Sequence, residues 1–204
     1  MDQQTPGKPA ASGKYKDRFD MVSKVVAIVG GLLSAIVLII SFRASTAQRA
    51  RELRWQQAKL AAELEDDMLI NDPQAFNALR MTDWGAYQFT VEGQPVRVTR
   101  AEVQEALSVK NNNNLPANGV LVRESFDRLF YRMGKIERAL GSNLIRFEDV
   151  CSPMDYYVPF LLDTHKEVLI PYMKQLHHTD ALKFMKRFDN KAGCLSDNRS
   201  PDGS

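Results

Sequence analysis

Few residues in this 204-residue chain have the type and spacing that chemistry requires. His177-His178-Thr179-Asp180 is the densest run of metal-ligand types. Adjacent histidines on a helix project about 100° apart, so they do not chelate together as an i, i+4 pair would. No HExxH or CxxC motif accompanies them. They read instead as the cap of a helix end, where an imidazolium faces the last carbonyls. Cys151 with His165 has the composition of a thiolate pair, but no nucleophile motif surrounds Cys151, and a lone cysteine between helices normally packs. Glu148-Asp149 and Asp66-Asp67 are neighbouring carboxylates of the kind that shares acid–base work inside a cleft. Without convergent partners they read as solvated surface. Gly30-Gly31 sits inside an apolar run and not in a phosphate-binding loop. The sequence thus assigns no catalytic residue, no cofactor-binding residue and no metal ligand, and the expectation is a protein that works without a cofactor and is not an enzyme.

The totals narrow the remaining classes. A formal charge of +2 and a pI near 8.5 are too mild for a nucleic-acid binder. The basic residues also flank the apolar segment and form no patch elsewhere. Cys151 and Cys194 are the only cysteines. They could form one bridge, but the count is not that of a disulfide framework, and the reading is two free thiols in a reducing compartment. Once tails and the apolar segment are set aside, roughly 140 residues remain, enough to bury a core without staples.

The element that must position everything else is VVAIVGGLLSAIVLIISF, residues 25–42, eighteen positions without a charge. At about 1.5 Å per residue it extends about 27 Å, close to the hydrocarbon thickness of a bilayer. Lys24 and Arg43 bracket it and can reach towards headgroups. A cleaved signal peptide competes with this reading. Its apolar region would be about 7–15 residues long and would run directly into a small-residue cleavage site. Here the run is longer, ends in Arg43, and precedes the basic stretch Gln48-Arg49-Ala50-Arg51, which favours a retained anchor in the inner membrane.

Lys14, Lys16, Arg18 and Lys24 precede the run, and Arg43, Arg49, Arg51 and Arg54 follow it, so the positive-inside count is a tie. The four arginines read as a membrane-surface basic patch suited to an anionic leaflet. Together with the cysteine usage, they point to a cytoplasmic C-terminal domain. Within the run, Ala27, Gly31 and Ala35 recur every four residues. Small residues so spaced let two helix backbones approach closely in lipid, which implies a homo-oligomer formed through the transmembrane helix.

Beyond the anchor the pattern is helical. No Pro or Gly interrupts residues 43–72, and Ala50, Leu53, Leu60, Leu64 and Met68 share a face, with Gln57 breaking the stripe. Asp72-Pro73 is an N-cap followed by proline at the first helical position. Tyr87 to Val91 and Val96 to Val98 alternate around Glu92-Gly93-Gln94-Pro95, which predicts a small hairpin. Thr99 with Glu102 forms a capping box, and Asn111 to Asn114 forms a polar loop. Val122, Phe126, Leu129, Phe130, Met133, Ile136 and Leu140 make the strongest apolar stripe, closed by Gly141, with a kink expected at Gly134. Ser152-Pro153 opens another helix, Asp163 should cap the next, and a last helix carries Ala181, Leu182, Phe184 and Met185. The aromatics Phe126, Phe130, Tyr131, Phe147, Tyr156, Tyr157 and Phe160 follow helical spacing and read as core.

The fold class is therefore mainly α. Its parts are a disordered tail (1–23), a single transmembrane helix (24–43), a stalk helix (44–71), a small helical-bundle domain with one short β-hairpin (72–189) and a second disordered tail (190–204).

FDRLFYRMGKIERAL, LIRFEDV, DYYVPFLL and HKEVLIPYMKQL, within residues 126–188, resemble an uncharacterised bacterial family. Its members combine an N-terminal span, a basic juxtamembrane helix and a helical C-terminal domain of unknown function. The resemblance covers the anchor, the stalk and the final third, while residues 82–118 depart from it as an insertion. It implies architecture and carries over no catalytic residue. Three functions follow as expectations. The leading one is a membrane-anchored interaction or regulatory module that engages the bilayer and another protein. The second is a ligand sensor, and the third a hydrolase using Cys151 or the His177/His178 region.

Overall fold

The computed structural model describes residues 13–91, 94–111 and 115–188. Among them are α1 (Gly13–Leu69), α2 (Pro73–Asp83), β1 (Ala86–Val91), β2 (Gln94–Thr99), α3 (Arg100–Ala106), α4 (Ala117–Gly141), α5 (Met154–Gln175) and α6 (Thr179–Lys186). Short 3-10 turns occupy Val109–Asn111 and Phe147–Asp149. The fold is mainly helical with one small antiparallel sheet. The hairpin tip at 92–93, the asparagines 112–114 and the tail expected from 190 onward lie outside the described residues. The chain divides into two units, residues 1–53 and 54–204.

In the first unit, α1 already begins at Gly13, so residues 13–23 are helical where a disordered tail was expected. No proline and no further glycine interrupts the chain before Gly30, and a polar composition is no obstacle to a helix of Lys, Arg, Asp and Met. This helix is long and apolar enough to cross a membrane, and its apolar window is not buried against protein. The Ser34 hydroxyl donates to the Gly30 carbonyl at 2.9 Å, which satisfies within the helix a polar group that lipid could not.

In the second unit, the last turns of α1 pack on α4. Arg54 pairs with Asp149, Gln57 donates to the Asn143 carbonyl, and Asp67 meets Arg132 and Lys135. Rising numbers on one side meet falling numbers on the other, so the segments run antiparallel. The buried positions of α1 here are Ala61 and Met68, with Leu60 and Leu64 partly covered; Leu53, expected on that stripe, is exposed. Gln57 breaks the stripe because its amide reads the loop after α4.

Local signals explain most boundaries. Asp72 accepts from the Ala75 N–H at 3.3 Å and precedes Pro73, as an N-cap should. Thr99 and Glu102 form the reciprocal capping box: Thr99 N–H donates to Glu102 Oε2 at 2.7 Å, and Glu102 N–H to Thr99 Oγ1 at 3.3 Å. In the hairpin, Tyr87 pairs with Val98 and Phe89 with Val96; Phe89 and Val98 are buried, while Gln88, Thr90 and Arg97 face water.

Three expectations change. Gly134 makes no break in α4. A Cβ built there would lie at ordinary contact distance, 3.6 Å, from Asp180 Cβ, so the position faces the start of α6. The left-handed residue after α4 is Asn143 (φ 54) and not Gly141. And α5 is one helix running through Asp163, which caps nothing. It tolerates Pro159 and Pro171 because the carbonyls they leave unpaired belong to Asp155 and Glu167, residues exposed to water.

Candidate functional site

His177 and His178 fall in the connection between α5 and α6. His177 adopts φ 59, and His178 is the N-cap residue of α6. The backbone therefore sends the two rings apart. His178 Nε2 lies 3.0 Å from Asp127 Oδ1, and the same oxygen accepts the Tyr172 hydroxyl at 2.9 Å. Phe130 packs on His178 with centroids 5.2 Å apart. Burial, then the Asp127 charge, raise the Tyr172 hydroxyl above the phenol range. A phenol held that firmly is no nucleophile or base at neutral pH. Asp127 instead binds α4 to α5 and to the start of α6. Among the described residues no cluster of three or more metal-ligand side chains occurs.

The Cys151–His165 pair does not form. Cys151 is buried and disulfide-bonded, which corrects the expectation of two free thiols. The only other cysteine in the sequence is Cys194, outside the described residues. A disulfide sulfur has no thiolate to offer. His165 is 1% exposed, and neither ring nitrogen has a hydrogen-bond partner. Burial, reinforced by Arg100, lowers its pKa to about 4, so the ring is neutral at physiological pH.

Of the neighbouring carboxylates, Glu148, Asp149 and Asp67 hold cations, while Asp66 is exposed. Arg146 grips Glu148 through two nitrogens at 3.0 Å each, and Arg54 holds Asp149 at 2.9 Å. Asp67 takes Arg132 at 2.9 Å and Lys135 at 3.1 Å, and these partners keep its carboxyl below the usual range. Arg132 also reaches Asp72 at 3.0 Å. These acids fasten α1 and α2 to α4. Of the expected membrane-surface basic group, Arg43, Arg49 and Arg51 are exposed, whereas Arg54 is committed to Asp149. On the small-residue face, Gly31 has nothing within 4 Å of a built Cβ; Ala27 and Ala35 fall outside the residues whose side chains are described.

What the sequence reading missed is an aromatic surface. Trp84 and Tyr156 are 59% and 54% exposed. Tyr156 donates to Asp83, the residue before Trp84, at 2.6 Å, and that bond holds its proton above the ordinary phenol range. Tyr156 stacks on Phe160 at 6.1 Å and meets Tyr157 edge-on at 5.1 Å. On the other side Trp84 contacts Tyr87 at 6.3 Å, and Arg80 both donates to the Tyr87 hydroxyl and covers the Phe76 ring. The end of α2 and the start of β1 thus carry one group of rings, with Arg80 on Tyr87 and Phe76, and the first turns of α5 carry a second, tied to the end of α2 by the Tyr156–Asp83 bond. Tyr131, also expected in the core, is exposed as well. Spacing marks a residue as helical but does not say which aromatics the neighbouring elements cover.

No family model, curated protein or solved structure matches this chain.

Proposed function

We propose that this chain is a membrane-anchored, non-enzymatic module whose helical domain binds another protein. The observation that carries the reading is the aromatic surface around Trp84 and Tyr156. Exposed Trp84 and Tyr156 beside an arginine, with Tyr156 held by Asp83 and Trp84 packed edge-on against the Arg80-bound Tyr87, have the composition of a binding hot spot. Rings already locked in place lose little entropy when a partner covers them. The apolar part of α1 spans the inner membrane in this reading. Arg43, Arg49 and Arg51 lie about 240° and 200° apart around the helix in successive steps, which suits an axis passing through the headgroups better than one lying along them. Its Gly31 face supports self-association in lipid, and the architecture is that of the anchored family it resembles.

Cys151 bears on the side of the membrane. Arginine density and free thiols argue for a cytoplasmic domain, but a disulfide removes the second argument and favours an oxidising compartment. The bridged Cys151 thus supports a reading in which the domain lies on the outer face, against the cytoplasmic side that the arginines favour. Trypsin added to intact spheroplasts should cut the chain within its exposed arginine segment. A fully protected chain would move the domain to the cytoplasm.

A photo-crosslinking phenylalanine analogue at Trp84 tests the binding reading in the native host. Illumination should give a discrete adduct that Tyr156→Ala weakens. A chain that yields no adduct from position 84, 87 or 156 has no partner on this surface.

A further inference from the structure

We infer that the outer edge of β1 is a docking strand, which takes an extended, basic-residue-bearing segment of a partner protein as a third strand of the sheet. This deepens the interaction-module reading, on which it rests, by naming where the partner's main chain pairs.

Hydrogen-bonding parity decides which backbone groups are available. Arg100 N–H donates to the Gly85 carbonyl at 3.1 Å, which continues the ladder one pair beyond Ala86 and Thr99. Antiparallel ladders alternate bonded and non-bonded pairs. Counting from Gly85 and Arg100, the pairs Tyr87 with Val98 and Phe89 with Val96 exchange bonds. Ala86, Gln88 and Thr90 on β1, like Thr99, Arg97 and Pro95 on β2, direct their N–H and C=O groups away from the hairpin.

The two edges are treated differently. On β2, Pro95 has no N–H to offer, the Arg97 carbonyl accepts Asn118 Nδ2 at 3.5 Å, and the Thr99 N–H donates to Glu102 Oε2 at 2.7 Å. Such devices are how proteins prevent strand addition. On β1 the outward groups of Ala86, Gln88 and Thr90 have no hydrogen-bond partner among the described residues, and Gln88 and Thr90 are exposed. An unpaired row of donors and acceptors at strand spacing is complementary to one kind of ligand, an extended main chain.

Charge narrows the ligand. A groove of about 320 Å³ touches β1 at Phe89 and Thr90, with Gln74 and Asn77 of α2 and Glu124 and Ser125 of α4 along it. Glu124 is the one charged residue lining it and has no ion-pair or hydrogen-bond partner among the described residues. Alternate side chains of an added strand point to one face. A Lys or Arg at such a position enters the groove beside the Glu124 carboxylate.

The test uses the full chain in phosphatidylcholine–phosphatidylglycerol nanodiscs and a displayed library of random twelve-residue peptides. The best-enriched peptide, made synthetically, should carry Lys or Arg. Its Kd should rise at least tenfold against Gln88→Pro, which removes an outward N–H without touching a ladder bond. Glu124→Gln should weaken it several-fold. Methylating alternate backbone nitrogens of the peptide should abolish binding in one register and spare it in the other, a test that stands even if the proline variant misfolds. On binding, the Gln88 and Thr90 amides should become protected from hydrogen exchange. A peptide that tolerates both methylation registers and the proline variant overturns the edge inference while leaving the module reading intact, and so does a library from which nothing is enriched over empty nanodiscs. Protection of Gln88 and Thr90 that appears without peptide and grows with protein concentration assigns the edge to a second copy and overturns the partner segment. The module reading itself stands or falls separately, on crosslinking at Trp84.

Discussion

Residues 29–42 and helix α4 both abound in large apolar side chains but dispose of them in different ways. In α4 these residues recur every third or fourth position, and Val122, Phe126, Leu129, Phe130, Met133 and Ile136 are each at most 1% exposed. In residues 29–42 they surround the helix, and the large ones, from Val29 and Leu32 to Phe42, remain largely exposed, Phe42 at 70%. A stripe can be covered by neighbouring protein, whereas an all-round apolar surface requires an apolar solvent. The same residue types are therefore disposed in opposite ways: α4 organises a protein core, and α1 carries a stretch long and apolar enough to cross a membrane.

Substitutions on the two sides of this comparison should behave differently. The largest effect is expected from Leu33→Arg combined with Ile36→Arg. Two arginines near the centre of a span cost about 2.5–3.5 kcal/mol each on insertion. Carbonate extraction should move the double variant from the membrane pellet to the supernatant, and an unchanged pellet would break the comparison at its root. Next in size is Phe130→Ala, which empties a fully buried ring site and should cost about 3–5 kcal/mol in denaturant unfolding of the domain. Phe42→Ala deletes a ring of the same size, yet should leave that transition where it is. Equal losses from both would mean that protein, not lipid, covers Phe42.

The smallest effect sharpens the contrast from within the domain, where protein is the solvent. Unfolded, His165 gains its proton below pH 6.5; folded, it waits until about 4. Between those values the unfolded chain holds more protons, so this group makes stability fall as pH falls. Glu65 does the reverse. Burial, then Asp66, raise its folded pKa to about 7 from 4.5, so it makes stability fall as pH rises through that window. From pH 4.5 to 6.5 the two slopes oppose, each at most about 1.4 kcal/mol per pH unit. Relative to the native chain, Glu65→Gln should therefore lose about 2 kcal/mol on acidification across the window, and His165→Leu should gain by a similar amount. Urea unfolding at several pH values reads both. Parallel curves for all three proteins would mean that water reaches these groups.

Much of the fold is legible from local chemistry because the signals are local. Asp72-Pro73 starts α2, Thr99 with Glu102 starts α3, and the stripe from Val122 to Leu140 names the buried face of α4, all without reference to a distant residue. Legibility fails where a residue's role depends on what lies across from it. Gly134 resembles a kink in the sequence, but it is the contact point of α6. Asp163 resembles a cap because Pro159 hides the continuity of α5. Tyr156 has the same helical spacing as Phe160, yet stands out in water because Asp83, 73 positions earlier, holds its hydroxyl there.

The sequence alone determined that one segment is long and uniformly apolar enough to cross a membrane, because hydrophobicity summed along a continuous run needs no tertiary information. It also determined the helical character of the rest, through periodicity and capping. Only the tertiary structure decided that Glu148, Asp149 and Asp67 are paired with cations and that Cys151 is bridged. It alone decided that β2's edge is sealed while β1's stays open, since each of these is a distance between residues far apart in the chain, which spacing along the chain does not encode.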